Sequence, residues 1–201
     1  MLVHVKAAGV NFADVLVRRG RYPQMPDLPA VLGSEIAGEL EDGTRVMAIT
    51  SGAGGYAEVV AVDRAQVVPL PDHASFAEGA SFLLTFLTAH IPLTRQARVR
   101  PGSVVLVYAA AGGVGSAAGA WPVVEPARLV GRNVGLAGFY LGRLLRFDPE
   151  LVGEAVGELL GLWHAGALKP LVGAELPLDD VERAHELVES RQSVGKVVLL
   201  P

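Results

Sequence analysis

The stretch VVLVYAAAGGVGSAAGAWPVV, Val104 to Val124, most limits what this chain can fold into. Val104 to Tyr108 is a short, continuously apolar strand, as expected at the centre of a parallel sheet buried on both faces. It runs directly into Gly112-Gly113-Val114-Gly115. A strand, a glycine turn and a helix together meet a phosphate with free backbone N–H groups and the positive end of the helix. The glycines let the main chain approach closely, and the small residues Ala109 to Ala111 leave room. Pro122 then cuts the helix off after Ser116 to Trp121, too short a stretch to stand without packing. A dinucleotide fold also needs a second strand, ending roughly 20 residues on in an acid or base that reads the ribose. Between Val124 and Asn133 there are Glu125, Arg128 and Arg132 but no strand in the right place, so half of the binding crevice is missing from the pattern. Glycine turns also occur for purely structural reasons, and the turn alone leaves nucleotide binding open.

The segments on either side have different characters. Val3, Val5 and Ala7 alternate with His4 and Lys6, which predicts a half-exposed strand with those three residues on one face. Asn11 heads a short helix, Phe12 to Arg19, that Gly20 ends. Ile36 to Leu40 and Arg45 to Thr50 read as strands joined through the hairpin signal Glu41-Asp42-Gly43. Tyr56 to Val62 and Val67 to Leu70 follow as a third and a fourth, so the first seventy residues read as a small, mostly β, barrel-like unit. From Ser75 the pattern changes. Ser75 and Glu78 have capping-box spacing and open a helix expected to run to about Arg95. Val134 to Tyr140 reads as a Gly-rich strand. Asp148-Pro149-Glu150 starts a helix that ends near Gly166. Asp179 or Asp180 opens a last helix to about Ser190, and Gly195 to Leu200 closes the chain as an apolar strand.

Composition narrows the function classes. The chain has 201 residues, 51% of them hydrophobic and 19% charged, which describes a folded globule with a real core. Net charge is −4 and the basic residues form no run, so nucleic acid is not an expected partner. No cysteine is present, which removes disulfides, thiolate metal sites and a Cys nucleophile, and fits a cytoplasmic setting. The stretch from Pro101 to Val124 carries no charge, but five glycines and Pro122 break it, so no membrane span is expected.

Five stretches stand in a telling order: GVNFADVLVRRGRYP from Gly9, PAVLGSEIAGEL from Pro29, FLLTFLTAHIPL from Phe82, AAAGGVGSAA from Ala109, and the closing RAHELVESRQSVGKVVLLP. In this order the chain resembles the NADPH:quinone oxidoreductases, the zinc-free, zeta-crystallin-like branch of the medium-chain dehydrogenase/reductase superfamily. The resemblance covers nearly the whole chain in two blocks, Leu2 to about Ala118 and about Arg128 to Pro201. It implies a mixed α/β fold, a GroES-like β-barrel domain plus a truncated Rossmann-type nucleotide-binding segment. The expected division is residues 1–87 as the first part of the GroES-like catalytic domain, 88–141 as the shortened Rossmann segment, and 142–201 as the return to the catalytic domain. Beside the family pattern the sequence is about a hundred residues short, in a strand pair before its start and in most of the Rossmann sheet. The resemblance further implies a homodimer, paired through the strand at Asn133 to Tyr140.

It also implies site residues. Asn11 would hydrogen-bond the substrate carbonyl or the nicotinamide, with Asp14 orienting it, although both positions also suit helix capping. Tyr22 would stack on a quinone or donate its hydroxyl, or simply pack. Ala111, Gly112, Gly113, Val114 and Gly115 would hold the NADPH pyrophosphate, Thr88 and Phe139 would border the nicotinamide, and Lys196 would reach a phosphate or the substrate. Thr88 otherwise reads as a hydroxyl bonded to its own helix, Phe139 as core, and Lys196 as a solvated strand residue. Arg18 is expected to pair with an acid such as Asp14, four residues back on the helix. Zinc-dependent relatives place Cys at the position of Asn11, His at that of Ser34 and Glu at Glu35. An amide and a hydroxyl are poor zinc ligands, so no metal is expected. The activity implied is hydride transfer from NADPH to a quinone or another activated α,β-unsaturated carbonyl. The alternative is a non-catalytic remnant or dimerising module that has lost strong cofactor binding.

Overall fold

The computed structural model describes residues 1–50, 53–105 and 138–201. The glycine turn Ala111 to Gly115, most of the expected strand Val104 to Tyr108 and most of the expected dimer strand Asn133 to Tyr140 lie outside the described residues. Residues 138–140 are not in a strand.

Seven strands make one sheet: β1 (Leu2–Val10), β2 (Glu35–Glu39), β3 (Arg45–Ile49), β4 (Val59–Ala61), β5 (Val67–Pro69), β6 (Val172–Pro177) and β7 (Lys196–Leu200). Their order is β5-β3-β2-β1-β7-β6, with β4 paired to β1. The β2–β3 hairpin forms where Asp42-Gly43 predicts it: Glu39 faces Arg45, and Gly43 takes the left-handed φ of 82° that the turn requires. The closing strand β7 lies antiparallel to β1, with Ala8 opposite Leu199 and Val10 opposite Val197. The two ends of the chain therefore share one sheet, and the barrel-like unit expected of the first seventy residues is completed by the last thirty. The sheet is mixed, because β6 runs parallel to β7.

A bulge in β1 corrects the simple alternation. Val5 faces Gly38 and Ala7 faces Ala37, so Lys6 is the extra residue. Past it the strand changes face: Val3, Val5, Ala8 and Val10 lie in one core with Ile36, Val46, Ala48, Val197 and Leu199. Ala7 lies in the other, with Ala37, Met47 and Val198. The bulge also turns Gly9 toward the second core, where a Cβ would lie 2.0 Å from the Ala80 carbonyl oxygen, so only glycine allows that approach.

The second core lies under the helices. The expected helix from Ser75 to Arg95 is broken. Ser75 and Glu78 form their capping box around α2 (Phe76–Gly79), the chain bends through Ala80 to Phe82, and α3 (Leu83–Ile91) follows. The Ser81 hydroxyl donates to the Ala77 carbonyl at the bend, a local bond that competes with helix continuation. Pro92 lacks the N–H for another α-turn and opens a π-turn over Pro92–Gln96. Residues 76–96 form the one helical run among the described residues with the length and mean hydropathy (1.3) to suit a membrane crossing, and half of it is buried inside the protein. Leu83, Leu87 and Ile91 bury against Val152, Ala155 and Leu159 of α5 (Pro149–His164), which follows α4 (Leu141–Phe147). Each buried leucine, isoleucine or valine of this set contributes roughly 1.5–3 kcal/mol.

The start of α5 agrees with the sequence: the Asp148 carboxylate accepts the Leu151 N–H, and Pro149 sits in the first turn. The last helix, α6 (Val181–Glu189), follows a 3-10 turn over Leu178–Asp180. One further expectation is corrected and two elements are new. The strand expected from Tyr56 shrinks to three residues. The helix α4 was not foreseen. Nor was β6, an edge strand only half-buried on alternate residues and interrupted by glycine and proline, which hides its alternation.

Candidate active site

Two buried polar clusters meet where β1, β2, β7 and the two short helices α1 (Phe12–Arg18) and α3 converge. In the first, Lys196 stands at the start of β7 with only 4% of its surface exposed. Its ammonium donates to Asn11 Oδ1 (2.6 Å), Glu35 Oε2 (2.7 Å) and Thr85 Oγ1 (3.2 Å). Glu35 is fully buried, and its other oxygen accepts the Leu84 N–H in the first turn of α3, where helix amides lack partners. Strand pairing puts Lys196 and Glu35 on the same sheet face as Ala37 and Val198. A lysine has no acceptor, so the Asn11 amide must present its oxygen to Lys196 and its nitrogen elsewhere. That Nδ2 lies 3.3 Å from the Gly9 carbonyl.

The second cluster surrounds Asp14, 1% exposed. Oδ2 accepts the Asn11 backbone N–H (2.8 Å) and the Tyr56 hydroxyl (3.2 Å), while Oδ1 accepts the Ser34 hydroxyl (2.9 Å). Behind Tyr56 lies His185 of α6, its Nε2 3.4 Å from the phenol oxygen. His185 Nδ1 is buried without a partner among the described residues. Burial raises the Asp14 carboxyl above the usual carboxylate range, against the lowering pull of Asn11, Ser34, Lys196 and Tyr56. Burial, with the Asp14 charge added, also raises the Tyr56 phenol well above its ordinary value. Burial, followed by the nearby Arg18 charge, lowers His185, which favours its neutral form.

In front of the second cluster is a cavity of about 470 Å³, lined by Tyr22, Met25, Ser34, Leu84, Tyr140 and Leu145 among others. Its size suits a ring-sized ligand. Tyr22 and Tyr140 meet edge to face on its wall, centroids 5.9 Å apart, and Tyr140 donates to Gln24. Burial raises the Tyr22 phenol, with Tyr140 adding to the effect.

The structure places the expected residues unevenly. Tyr22 is on the cavity wall. Asn11 and Asp14 stand one layer behind it, and Asp14 keeps its half of the capping box. Arg18 does not pair with Asp14: Arg18 and Arg19 both donate to Glu189 of α6, because the Asp14 carboxylate turns inward to Ser34 and Tyr56. Thr88 is half-buried one turn along α3 from Leu84 and is not among the cavity's lining residues. Phe139 is half-buried against the helical core, next to Tyr140 on the wall. Lys196 is not a solvated strand residue. Ser34, Tyr56, Thr85, Tyr140 and His185 were not singled out as contributors from the sequence. One available signal was a lone charge beginning each of two apolar strands, Glu35 before Ile36-Ala37 and Lys196 before Val197-Val198, which a buried ion pair explains.

Comparison with known proteins places the chain in a family. The alcohol dehydrogenase GroES-like domain matches residues 1–72, and the zinc-binding dehydrogenase family matches residues 92–199, more than half of the chain. The chain belongs to the zinc-binding dehydrogenases of the medium-chain dehydrogenase/reductase superfamily, an oxidoreductase family. Among individual relatives, a quinone oxidoreductase-like protein 2 homolog of Nematostella vectensis is 26% identical, in an alignment covering 98% of this chain and 80% of that protein. That alignment is 293 positions long against 201 residues here, so the relative carries a long stretch with no counterpart in this chain. The human synaptic vesicle membrane protein VAT-1 homolog is 36% identical, covering all of this chain and 79% of that protein. The quinone oxidoreductase of Thermus thermophilus, solved also with NADPH, superposes with a TM-score of 0.91 at 30% identity, covering 100% of this chain and 91% of that one.

Proposed function

We propose that this chain is an NADPH-dependent reductase of quinones or other activated α,β-unsaturated carbonyls, and that it works without zinc. The observation that carries this reading is the cavity lined by Tyr22, Tyr140 and Ser34, with the hydrogen-bonded cluster around Asp14 behind it. The likeness to relatives named as quinone oxidoreductases supports the choice of substrate class.

The family description names zinc, and the donors here do not fit it. The three positions that would hold the ion carry an amide, a hydroxyl and a carboxylate, and the carboxylate of Glu35 and the amide oxygen of Asn11 are already taken by the Lys196 ammonium. A cation would have to displace a buried cation from those oxygens. Among the described residues no group of three or more His, Cys, Asp or Glu is placed to hold a metal.

In this reading the nicotinamide end of the cofactor would enter the cavity beside Tyr22 and Tyr140, Ala111 to Gly115 would hold its pyrophosphate, and Thr88 and Phe139, which do not line the cavity, would approach the ring from outside it. Bound there, NADPH supplies the hydride. The chain's own share is to hold the acceptor ring against the contacting pair Tyr22 and Tyr140, to keep water out with Met25, Leu84 and Leu145, and to meet the developing oxyanion with a hydroxyl donor. A second reading, a module that has lost strong cofactor binding, is favoured by the stretch that relatives carry and this chain skips.

The test is NADPH oxidation followed by absorbance with a panel of quinones and enones, with simple alcohols and NADP⁺ as the opposing panel. We expect turnover with quinones or enones that a chelator leaves unchanged. Turnover confined to alcohols, or abolished by the chelator, would overturn the proposal, and no turnover with any acceptor would favour the second reading.

A further inference from the structure

We propose that Asp14 is the proton reservoir of this site and that Ser34 passes its proton to the substrate. The proposal rests on the reductase reading above. Reduction of an enone or quinone is complete only when a proton joins the hydride, and the chain must provide a group to deliver it.

The geometry singles out one route. Ser34 is on the cavity wall, and Asp14 is one hydrogen bond behind it, at 2.9 Å. The two oxygens of Asp14 are not equivalent. Oδ2 already receives two donors, the Asn11 N–H and the Tyr56 hydroxyl, so a proton on this carboxyl must sit on Oδ1, the oxygen facing Ser34. Asp14 then becomes the donor to Ser34 Oγ, and the serine's own hydrogen is free to turn into the cavity.

Charge points the same way. Two buried carboxylates and one buried ammonium share this region. Lys196 is in direct contact with Glu35 and not with Asp14, so those two cancel and an ionised Asp14 would be left without a counter-ion in contact. The groups facing Asp14 are Ser34 from the loop before β2, Tyr56 with His185 of α6 behind it, Lys196 of β7 through Asn11, and Tyr22 across the cavity wall. Arg18 on the same helix is occupied by Glu189. Burial raises the Asp14 carboxyl, which keeps the acid form available nearer neutral pH.

In the transfer, the Ser34 Oγ–H bond breaks as a bond forms from that hydrogen to the substrate oxygen or α-carbon. The Asp14 Oδ1–H bond breaks and its proton moves to Ser34 Oγ. The electron pair stays on the Asp14 carboxylate, where the Asn11 N–H and the Tyr56 hydroxyl hold it. No electron changes hands among these residues. When the cavity empties, water returns the proton by way of Ser34. Tyr56 acts as a positioning residue, fixing which oxygen of Asp14 faces the serine.

The first test does not need activity. Carbon-13 carboxyl-labelled aspartate in the intact protein, followed by NMR against pH, should show one aspartate titrating above the others. Asp14→Asn should remove that signal, and, should that variant not fold, Ser34→Ala should shift it. Finding every aspartate in the ordinary carboxylate range would overturn the reservoir. Stability gives the same sign by another route. A carboxyl raised on folding stabilises fully below its unfolded value, and that stability is lost as pH rises through the folded value. Wild type should therefore lose stability relative to Asp14→Asn as pH rises from about 4.

The second test is kinetic. Ser34→Ala should lower kcat about 10²–10⁴-fold with NADPH affinity and melting temperature near wild type, and Ser34→Thr should restore most of it. An unchanged kcat in Ser34→Ala would overturn the relay. Wild type without turnover would count against the reductase reading, while the NMR titration would still decide whether Asp14 stores a proton.

Discussion

Lys196→Met is expected to destabilise the fold by about 3–5 kcal/mol, among the largest effects of any single substitution in this chain. Among the described residues the ammonium is the only cation in contact with Glu35, which has no exposed surface. Removing it leaves a buried carboxylate with the Leu84 N–H as its one partner among the described residues, and Asn11 and Thr85 lose their donor as well. The pair also ties together four segments distant in sequence: the start of α1, β2, α3 and β7. Urea unfolding should show a lower midpoint with little change in slope. The double variant Lys196→Met, Glu35→Gln should recover much of the loss, because it removes the unpaired charge and not just one partner. A single variant as stable as wild type would mean that Glu35 is not held as described.

Trp163→Ala is expected to cost a similar amount, about 3–5 kcal/mol, for a different reason. Trp163 is 4% exposed near the end of α5 and stacks on Phe82, ring centroids 4.2 Å apart, with His73 against its edge at 6.0 Å. Phe82 is the last residue of the bend before α3, and α3 carries Leu84 to the cavity wall and Thr85 to Lys196. The cavity left by the indole would loosen that bend, so the variant should weaken ligand binding as well as the fold. Circular dichroism is the suitable probe, since the substitution removes one of the two tryptophans. Trp163→Phe, which keeps a ring on Phe82, should lose less than half as much. Equal losses in the two variants would mean that the stacking contact carries little of the stability.

The fold was legible wherever local chemistry decides it. The Asp42-Gly43 hairpin, the Ser75–Glu78 capping box and the Asp148-Pro149 helix start each rest on neighbouring residues, and each is present. What the sequence hid depends on contacts between distant segments. The Lys6 bulge inverts the faces of β1 after Val5 because of its pairing with β2. The bend at Ala80 carries its carbonyl close over Gly9, a contact between segments some seventy residues apart. β6 is a strand only because β7 lies beside it. The candidate site divides in the same way. Asn11, Asp14, Tyr22 and Lys196 stand in recognisable stretches and do converge. Ser34, Tyr56 and His185 are separated from Asp14 by 20 to 171 residues, and no local pattern links a serine, a tyrosine and a histidine so far apart. Arg18 shows the opposite error: helix spacing favoured Asp14, and burial of that carboxylate sent the arginine to Glu189.

The central claim is that a reduced nicotinamide cofactor binds beside the cavity that Ser34 and Tyr22 line. Titrating the purified protein into NADPH, with fluorescence of the cofactor as the signal, tests it most directly. The account predicts saturation with a dissociation constant below about 1 mM, displacement by NADP⁺, and weaker binding in Trp163→Ala. A response that stays linear through that concentration, or one that NADP⁺ does not reverse, would contradict it.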